Sequence, residues 1–256
     1  MGEIHNTIEK RNITIDNVGI CKYKLPIVFE SKNKYSLIAE IQSGTMINKN
    51  VKGAHLSRII EVLDFMFVNQ IVNISYIDTI LNTLKKQLET NNANIRLIFD
   101  IVLPTITPIS HKLTYLNSNI VLSGEVKNYK IKKNISLTAT GAMLCPNSKN
   151  ISDYGAHSQK CNLRVTLFDN IDTLFVEDVL KVMFGQFSAE VYGLVKSVDE
   201  KLLTEKAYDN PKFSEDLIRD VLINLRKIYD TGKIVAEIEN LESIHQHNVY
   251  ARGCLK

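Results

Sequence analysis

The residues most able to do chemistry stand between Leu144 and Cys161, in the run Leu-Cys-Pro-Asn-Ser-Lys-Asn-Ile-Ser-Asp-Tyr-Gly-Ala-His-Ser-Gln-Lys-Cys. Strand-like runs flank it, residues 135–140 before and 162–168 after, and its Pro, Gly, Ser and Asn content marks a loop. The loop carries a thiol, Cys145, and an imidazole, His157. A thiolate and a neutral imidazole are good ligands for a borderline-soft divalent metal such as zinc. No common metal box reads Cys-x11-His, and on composition alone a half-buried Cys beside a turn with a surface His is the simpler account.

Further acids and imidazoles follow. Glu190 sits among apolar residues in Phe-Ser-Ala-Glu-Val-Tyr-Gly, where it is either a buried ligand or a helix-end Glu facing water. Glu205 lies in a mixed charge run, usually a solvated surface, with Ala207-Tyr208 as a hint of partial burial. In Glu242-Ser243-Ile244-His245-Gln246-His247 the two imidazoles share one face of a strand, which suits proton transfer or metal binding as well as an exposed polar face. His55-Leu56-Ser57-Arg58 opens a helix whose N-terminus can receive a phosphate or simply be capped. There is no phosphate-cradling Gly-rich loop and no Gly-x-Ser-x-Gly elbow.

The elements that position these residues come in a repeating order. Residues 18–29 and 35–41 read as strands, then helices over 55–68 and from Ser75 to Leu88, then strands over 95–103 and around 119–126. The order recurs: strands over 131–143 and 163–168, a helix capped by Asp172, a mixed connection over 188–205, and a helix opening at Ser214 and closed by Gly232. Strands over 234–238 and 248–252 finish the chain. Two halves, 1–130 and 131–256, each read ββααββ, which predicts an α+β duplication: antiparallel sheets with helices on one face. Exposed sheet edges need covering, so an oligomer is expected.

The composition is that of an ordinary globular chain, 45% hydrophobic and 23% charged, so a sizeable core is expected. A net charge of +3 is too small to imply nucleic acid, although local Lys and Arg can hold an anionic small molecule. Four Cys without a signal peptide predict reduced thiols and a cytoplasmic location. No apolar run is long enough to span a membrane, so no membrane partner is expected.

Together these pieces resemble the type IB GTP cyclohydrolase I family, the metal-dependent prokaryotic form. The resemblance covers nearly the whole chain. It rests on Val18-Gly19-Ile20 with Leu25-Pro26, on the 52–58 and 144–159 stretches, and on Glu190-Val191-Tyr192-Gly193-Leu194. Asp199-Glu200-Lys201, the 204–211 stretch and the 242–248 stretch follow in the same order. It implies the tunnelling fold, two tandem ββααββ units, in a homotetramer. It implies hydrolysis of GTP at guanine C8 to 7,8-dihydroneopterin triphosphate and formate, the first step of folate and pterin synthesis. Some archaeal relatives give a cyclic phosphate instead.

The resemblance also implies that Cys145, His157 and Glu190 hold a catalytic divalent metal; zinc, manganese and iron(II) all tolerate that set. His245 and His247 become candidates for proton shuttling, Glu205 and Glu242 for holding the guanine edge, and Arg58, Lys149 and Lys196 for the triphosphate. Three positions depart from the family pattern. Asn147 stands where the family has a second Cys, Ala189 where it often has Cys, and Ser197 where it has Arg. The last bears on phosphate contacts or loop shape. Two other classes compete: another tunnelling-fold enzyme acting on a pterin or deazapurine, such as a nitrile reductase, and a non-catalytic oligomeric binding protein. The Cys-x11-His pattern with Glu190 downstream argues against the reductase.

Overall fold

A computed structural model describes residues 8–229 and 232–256; the first seven residues of the polar lead-in lie outside it. The strands are β1 (Ile15–Glu30), β2 (Lys34–Ile47), β3 (Ile71–Val72), β4 (Asn92–Ile106) and β5 (Leu113–Lys127). After them come β6 (Lys130–Leu144), β7 (Ser158–Phe168), β8 (Ala189–Glu190), β9 (Lys233–Asn240) and β10 (Val249–Leu255). The helices are α1 (Leu56–Phe67), α2 (Tyr76–Gln87), α3 (Pro146–Ile151), α4 (Val176–Phe184), α5 (Ser197–Asp209) and α6 (Ser214–Ile228).

All ten strands belong to one sheet, in the order β10-β9-β7-β6-β5-β4-β2-β1-β3, with β8 paired to β6. The sheet is mixed: β1 and β3 run parallel, whereas β1/β2, β2/β4, β6/β8, β7/β9 and β9/β10 are antiparallel. This corrects the tunnelling-fold expectation of two tandem ββααββ units, each an antiparallel sheet with its helices on one face. The physical reason lies in β4, β5 and β6. Each is 15 residues long, and their ladder joins what the sequence separates. Helices α3 and α5 also break the repeat, since neither has a counterpart among the described residues of the first half.

The chain forms two compact units. The first comprises Met1–Phe99, Ile120–Ile135 and Ile171–Thr173. Its core is built by α1 and α2, whose apolar residues recur at helical spacing: Ile59, Leu63, Ile77, Ile80, Leu81 and Leu84 are all fully buried. Phe29 and Phe99 add a tilted ring pair with centroids 4.9 Å apart. Ser75 begins α2, but it is Asn73 whose Oδ1 accepts the Tyr76 N–H, at 2.9 Å. Lys133 is buried, and its ammonium pairs with Asp78 at 2.8 Å and with Asp172. A buried cation requires such partners. Asp172 is therefore spent on Lys133, and α4 begins later, with Phe175 at its N-cap.

The second unit comprises Asp100–Asn119, Ser136–Asn170 and Leu174–Lys256. On β7 buried and exposed residues alternate, with Leu163, Val165 and Leu167 inward. Helix α6 packs on β9 and β10 through Leu217, Val221 and Leu225. Tyr229, just past α6, donates its hydroxyl to Phe168 O at 2.6 Å, and burial pushes its phenol up to about 12. Gly141 on β6 faces the Phe187 ring, and a Cβ there would come within 2.1 Å of it. The missing side chain is what lets the segment carrying Phe187 and β8 lie against β6.

Gly141→Ala is therefore expected to displace Phe187 and cost about 1–3 kcal/mol. Chemical denaturation of the two proteins checks this, and an unchanged midpoint would contradict it.

Candidate active site

The register of β6 against β7 determines where Cys145 and His157 meet. Ser136 hydrogen-bonds Thr166 across the pair at 2.8 Å, and Thr140 donates to Asn162 at 2.9 Å. The same antiparallel register places Cys145 opposite His157, where the Cys145 N–H donates to His157 O at 3.1 Å. The intervening residues are not all loop. Pro146 begins α3, a position where its missing N–H costs nothing. Ser148 locks the arrangement: its N–H donates to Cys145 Sγ at 3.4 Å and its hydroxyl to Cys145 O at 3.1 Å. Its Oγ also accepts the His157 N–H at 3.2 Å. Gly155 closes the excursion at φ 137°, a conformation that side chains resist.

His157 is oriented by its neighbours. Its Nδ1 lies 2.9 Å from Gln159 Oε1 and 3.4 Å from Ser243 Oγ, which leaves Nε2 for a ligand. Gln159 in turn donates from Nε2 to Glu242 Oε1 at 3.4 Å. The segment after β9 is held here because the Leu241 N–H donates to Lys160 O at 2.9 Å. That segment is irregular, so His245 and His247 do not lie on a strand. They are exposed, with rings stacked 5.1 Å apart.

Glu190 reaches the neighbourhood through β8, paired opposite Gly141 on β6. Its carboxylate accepts from Lys206 Nζ through both oxygens, at 2.7 and 2.6 Å. Among the described residues no three Cys, His, Asp or Glu side chains gather tightly enough to enclose a metal. Glu205 points to solvent and pairs with Lys201 at 2.8 Å. Lys149 donates to Tyr208 O and lies over the Tyr208 ring, 4.2 Å from its centroid. Lys196 is exposed at the start of α5. Arg58 belongs to the first unit, where it donates to Gln87 O at 3.3 Å and pairs with Glu89 at 3.7 Å.

Two residues that sequence reasoning passed over do structural work beside these. Lys206 is one. Asp199 is the other, fully buried at the start of α5. Its Oδ1 accepts from the Ile109 and Ser110 N–H groups, both at 2.9 Å, and its Oδ2 from the Lys196 N–H at 3.1 Å and the Ser110 hydroxyl. Burial alone would push this carboxyl up; the hydrogen bonds from Ser110, Ile109 and Lys196 outweigh it and hold it well below the usual range. At the far end of α5, Asn210 Nδ2 donates to Phe187 O at 3.1 Å and Ser188 O at 3.3 Å. Helix α5 is thus pinned at both ends, and Lys206 is delivered to Glu190. The sequence marked Asp199 by the Asp199-Glu200-Lys201 match to the family and by its place three residues after Lys196, the spacing of an acid that caps a helix start.

A family model described as type I GTP cyclohydrolase folE2 matches residues 1–251. The chain is 34% identical to GTP cyclohydrolase FolE2 of Methylobacillus flagellatus, over 97% of this chain and 93% of that one. It is 35% identical to the FolE2 proteins of Azoarcus sp. and Fervidobacterium nodosum; 97% of this chain is covered in each case, with 93% and 95% of theirs. Among solved structures, uricase from Arthrobacter globiformis superposes with a TM-score of 0.52 at 8% identity, covering 94% of this chain and 93% of that chain. A hyper-thermostable AgUricase mutant gives 0.54 at 9%, over 94% and 92%. At that identity the likeness concerns fold alone, and it agrees with one large sheet in place of two tandem ones.

Because the folded-state carboxyl of Asp199 titrates below its unfolded value near 3.9, its stabilisation is complete above about pH 4 and is lost as pH falls below it. Asp199→Asn is expected to lower the melting temperature by roughly 5–10 °C at neutral pH. The gap to the wild type should narrow below about pH 4. Melting curves from pH 2.5 to 7 check this, and a pH-independent gap would count against it.

Proposed function

The chain belongs to the type I GTP cyclohydrolase FolE2 family, and on that premise we propose how its own residues carry out the reaction. It is a GTP cyclohydrolase: GTP and water give 7,8-dihydroneopterin triphosphate and formate, the entry to folate biosynthesis. The observation that carries the proposal is the pairing of Cys145 with His157 across the end of the β6/β7 ladder.

The donor chemistry there fits a divalent metal. A thiol, an imidazole with Nε2 free of its Nδ1 partners, and the Glu190 carboxylate form a set suited to zinc, manganese or iron(II). When bound, the metal would supply an activated water and a Lewis acid at guanine C8. Cys145 and His157 would hold it, and Glu190, drawn from Lys206, would complete the set.

Gln159 fixes the His157 ring, and Glu242 fixes Gln159. With Glu242 so engaged, Glu205 is the acid available for guanine. Its tie is an exposed i,i+4 pair with Lys201, of the kind that contributes about 0.3–0.5 kcal/mol and yields readily. A carboxylate accepts the ring N–H and the amino N–H together. His245 and His247 move protons while the ribose rearranges. Lys149 and Lys196 neutralise the triphosphate.

We further propose a homotetramer, since β10 and β3 end the sheet with open edges. The cytoplasm is the proposed compartment: Cys21, Cys145, Cys161 and Cys254 are all free thiols. No helix among the described residues is long and apolar enough to cross a membrane.

Cys145→Ala is expected to abolish GTP turnover under anaerobic, metal-supplemented conditions while moving the melting temperature by only a few degrees, roughly 1 kcal/mol of packing. Asn147→Cys, at an exposed position on α3, should stay within about threefold of the wild type. Product mass analysis together with melting curves decides this, and a Cys145→Ala enzyme of near-normal activity would end the metal-ligand assignment. Glu205→Gln should raise KM for GTP by about 100-fold, and a normal KM in that variant would move the guanine anchor elsewhere.

A further inference from the structure

We propose that Lys206 is a positioning residue that sets the metal affinity of the site by competing with the cation for Glu190. The inference rests on the assignment of Glu190 as a ligand. It adds a residue that the ligand set itself does not contain.

Four observations carry it. Lys206 Nζ binds both oxygens of Glu190, at 2.7 and 2.6 Å, so the ammonium occupies the carboxylate's bidentate face. The Glu190 side chain is 23% exposed and that of Lys206 45%, so the pair is only partly screened by water and remains open to exchange. Lys206 is presented by a helix anchored through buried Asp199 at one end and Asn210 at the other, which limits how far it can withdraw. Its neighbours on α5, Leu203 and Ala207, pack with Leu144 and Ala189, the residues adjoining Cys145 and Glu190. The ammonium is therefore held within reach of Glu190.

The consequence follows from charge alone. A divalent cation taken by Glu190 must share or displace the ammonium and then stand close to a like charge. Both effects weaken binding. The site consequently holds its metal less tightly than its ligands alone would allow.

The test uses the full chain, stripped of metal, with zinc affinity measured by competition against a chromogenic chelator. Lys206→Met, which keeps the side-chain length and removes the charge, is expected to bind zinc roughly five- to tenfold more tightly. Lys206→Arg should remain within about twofold of the wild type, because the charge is restored. The tightening should vanish in the Lys206→Met/Glu190→Gln double variant, since it acts through that carboxylate. A Lys206→Met protein that binds zinc equally or more weakly, while Glu190→Gln alone weakens binding, would overturn this inference and leave the ligand assignment standing. Glu190→Gln binding zinc as the wild type does would overturn the assignment and the inference together. Lys206→Gln serves as a second neutral variant, and circular dichroism confirms that each protein is folded.

Discussion

The antiparallel register between β6 and β7 is the constraint from which the site follows. A ladder that pairs Ser136 with Thr166 and Thr140 with Asn162 has no freedom left at its end, and it must set Cys145 beside His157. A slip of one residue would turn the buried faces of β7 outward, exposing Leu163, Val165 and Leu167. At about 1.5–3 kcal/mol for each buried side chain, the core forbids that slip. The placement of two polar, chemically capable residues is thus secured by apolar burial several residues away. Ser148 and Gly155 then only have to return the chain across a short excursion.

Electrostatics organise the other side of the site. The charge of the buried Asp199 carboxylate is held by four donors, three of them backbone N–H groups. That choice matters, because a hydrogen-bonded carboxylate fixes the turn at Ile109 and Ser110 and the start of α5 in one step. Lys133 solves the opposite problem, a buried ammonium between Asp78 and Asp172. Both are local fixtures. The Lys206–Glu190 pair differs in being partly exposed on both partners, so its charges stay available for exchange.

Much of this was legible in the sequence, and unevenly so. Helices α1, α2 and α6 were readable because their apolar residues repeat at 3.6 spacing and one face is buried. Helix α5 was not, because only Asp199 and Ala207 are buried along it and no apolar stripe exists to find. The Cys145 and His157 pair was marked by its loop and by family resemblance, but the α3 turn and the Ser148 clamp were hidden in a run of Ser, Lys and Asn. His245 and His247 alternate as in a strand, yet no partner strand runs beside them, and alternation without a partner does not make a strand. The two-sheet reading failed for a related reason: local pattern identifies strands, whereas the edge-to-edge joining of β4, β5 and β6 is a long-range choice.

The three departures from the family pattern can now be weighed against the contacts. Asn147 is exposed on α3, while the donor to the Cys145 sulfur is the backbone of Ser148, so a second thiol is not required to fix Cys145. Ala189 is buried against Leu144 and Ala207, and its methyl keeps that contact apolar where a Cys would put a thiol next to Glu190. Ser197 is exposed at the first turn of α5, and the Lys196 N–H there is already satisfied by Asp199. Helix α5 therefore begins correctly without an Arg. What the chain gives up at that position is a positive charge facing solvent, which concerns the attraction of an anionic substrate more than the architecture that receives it.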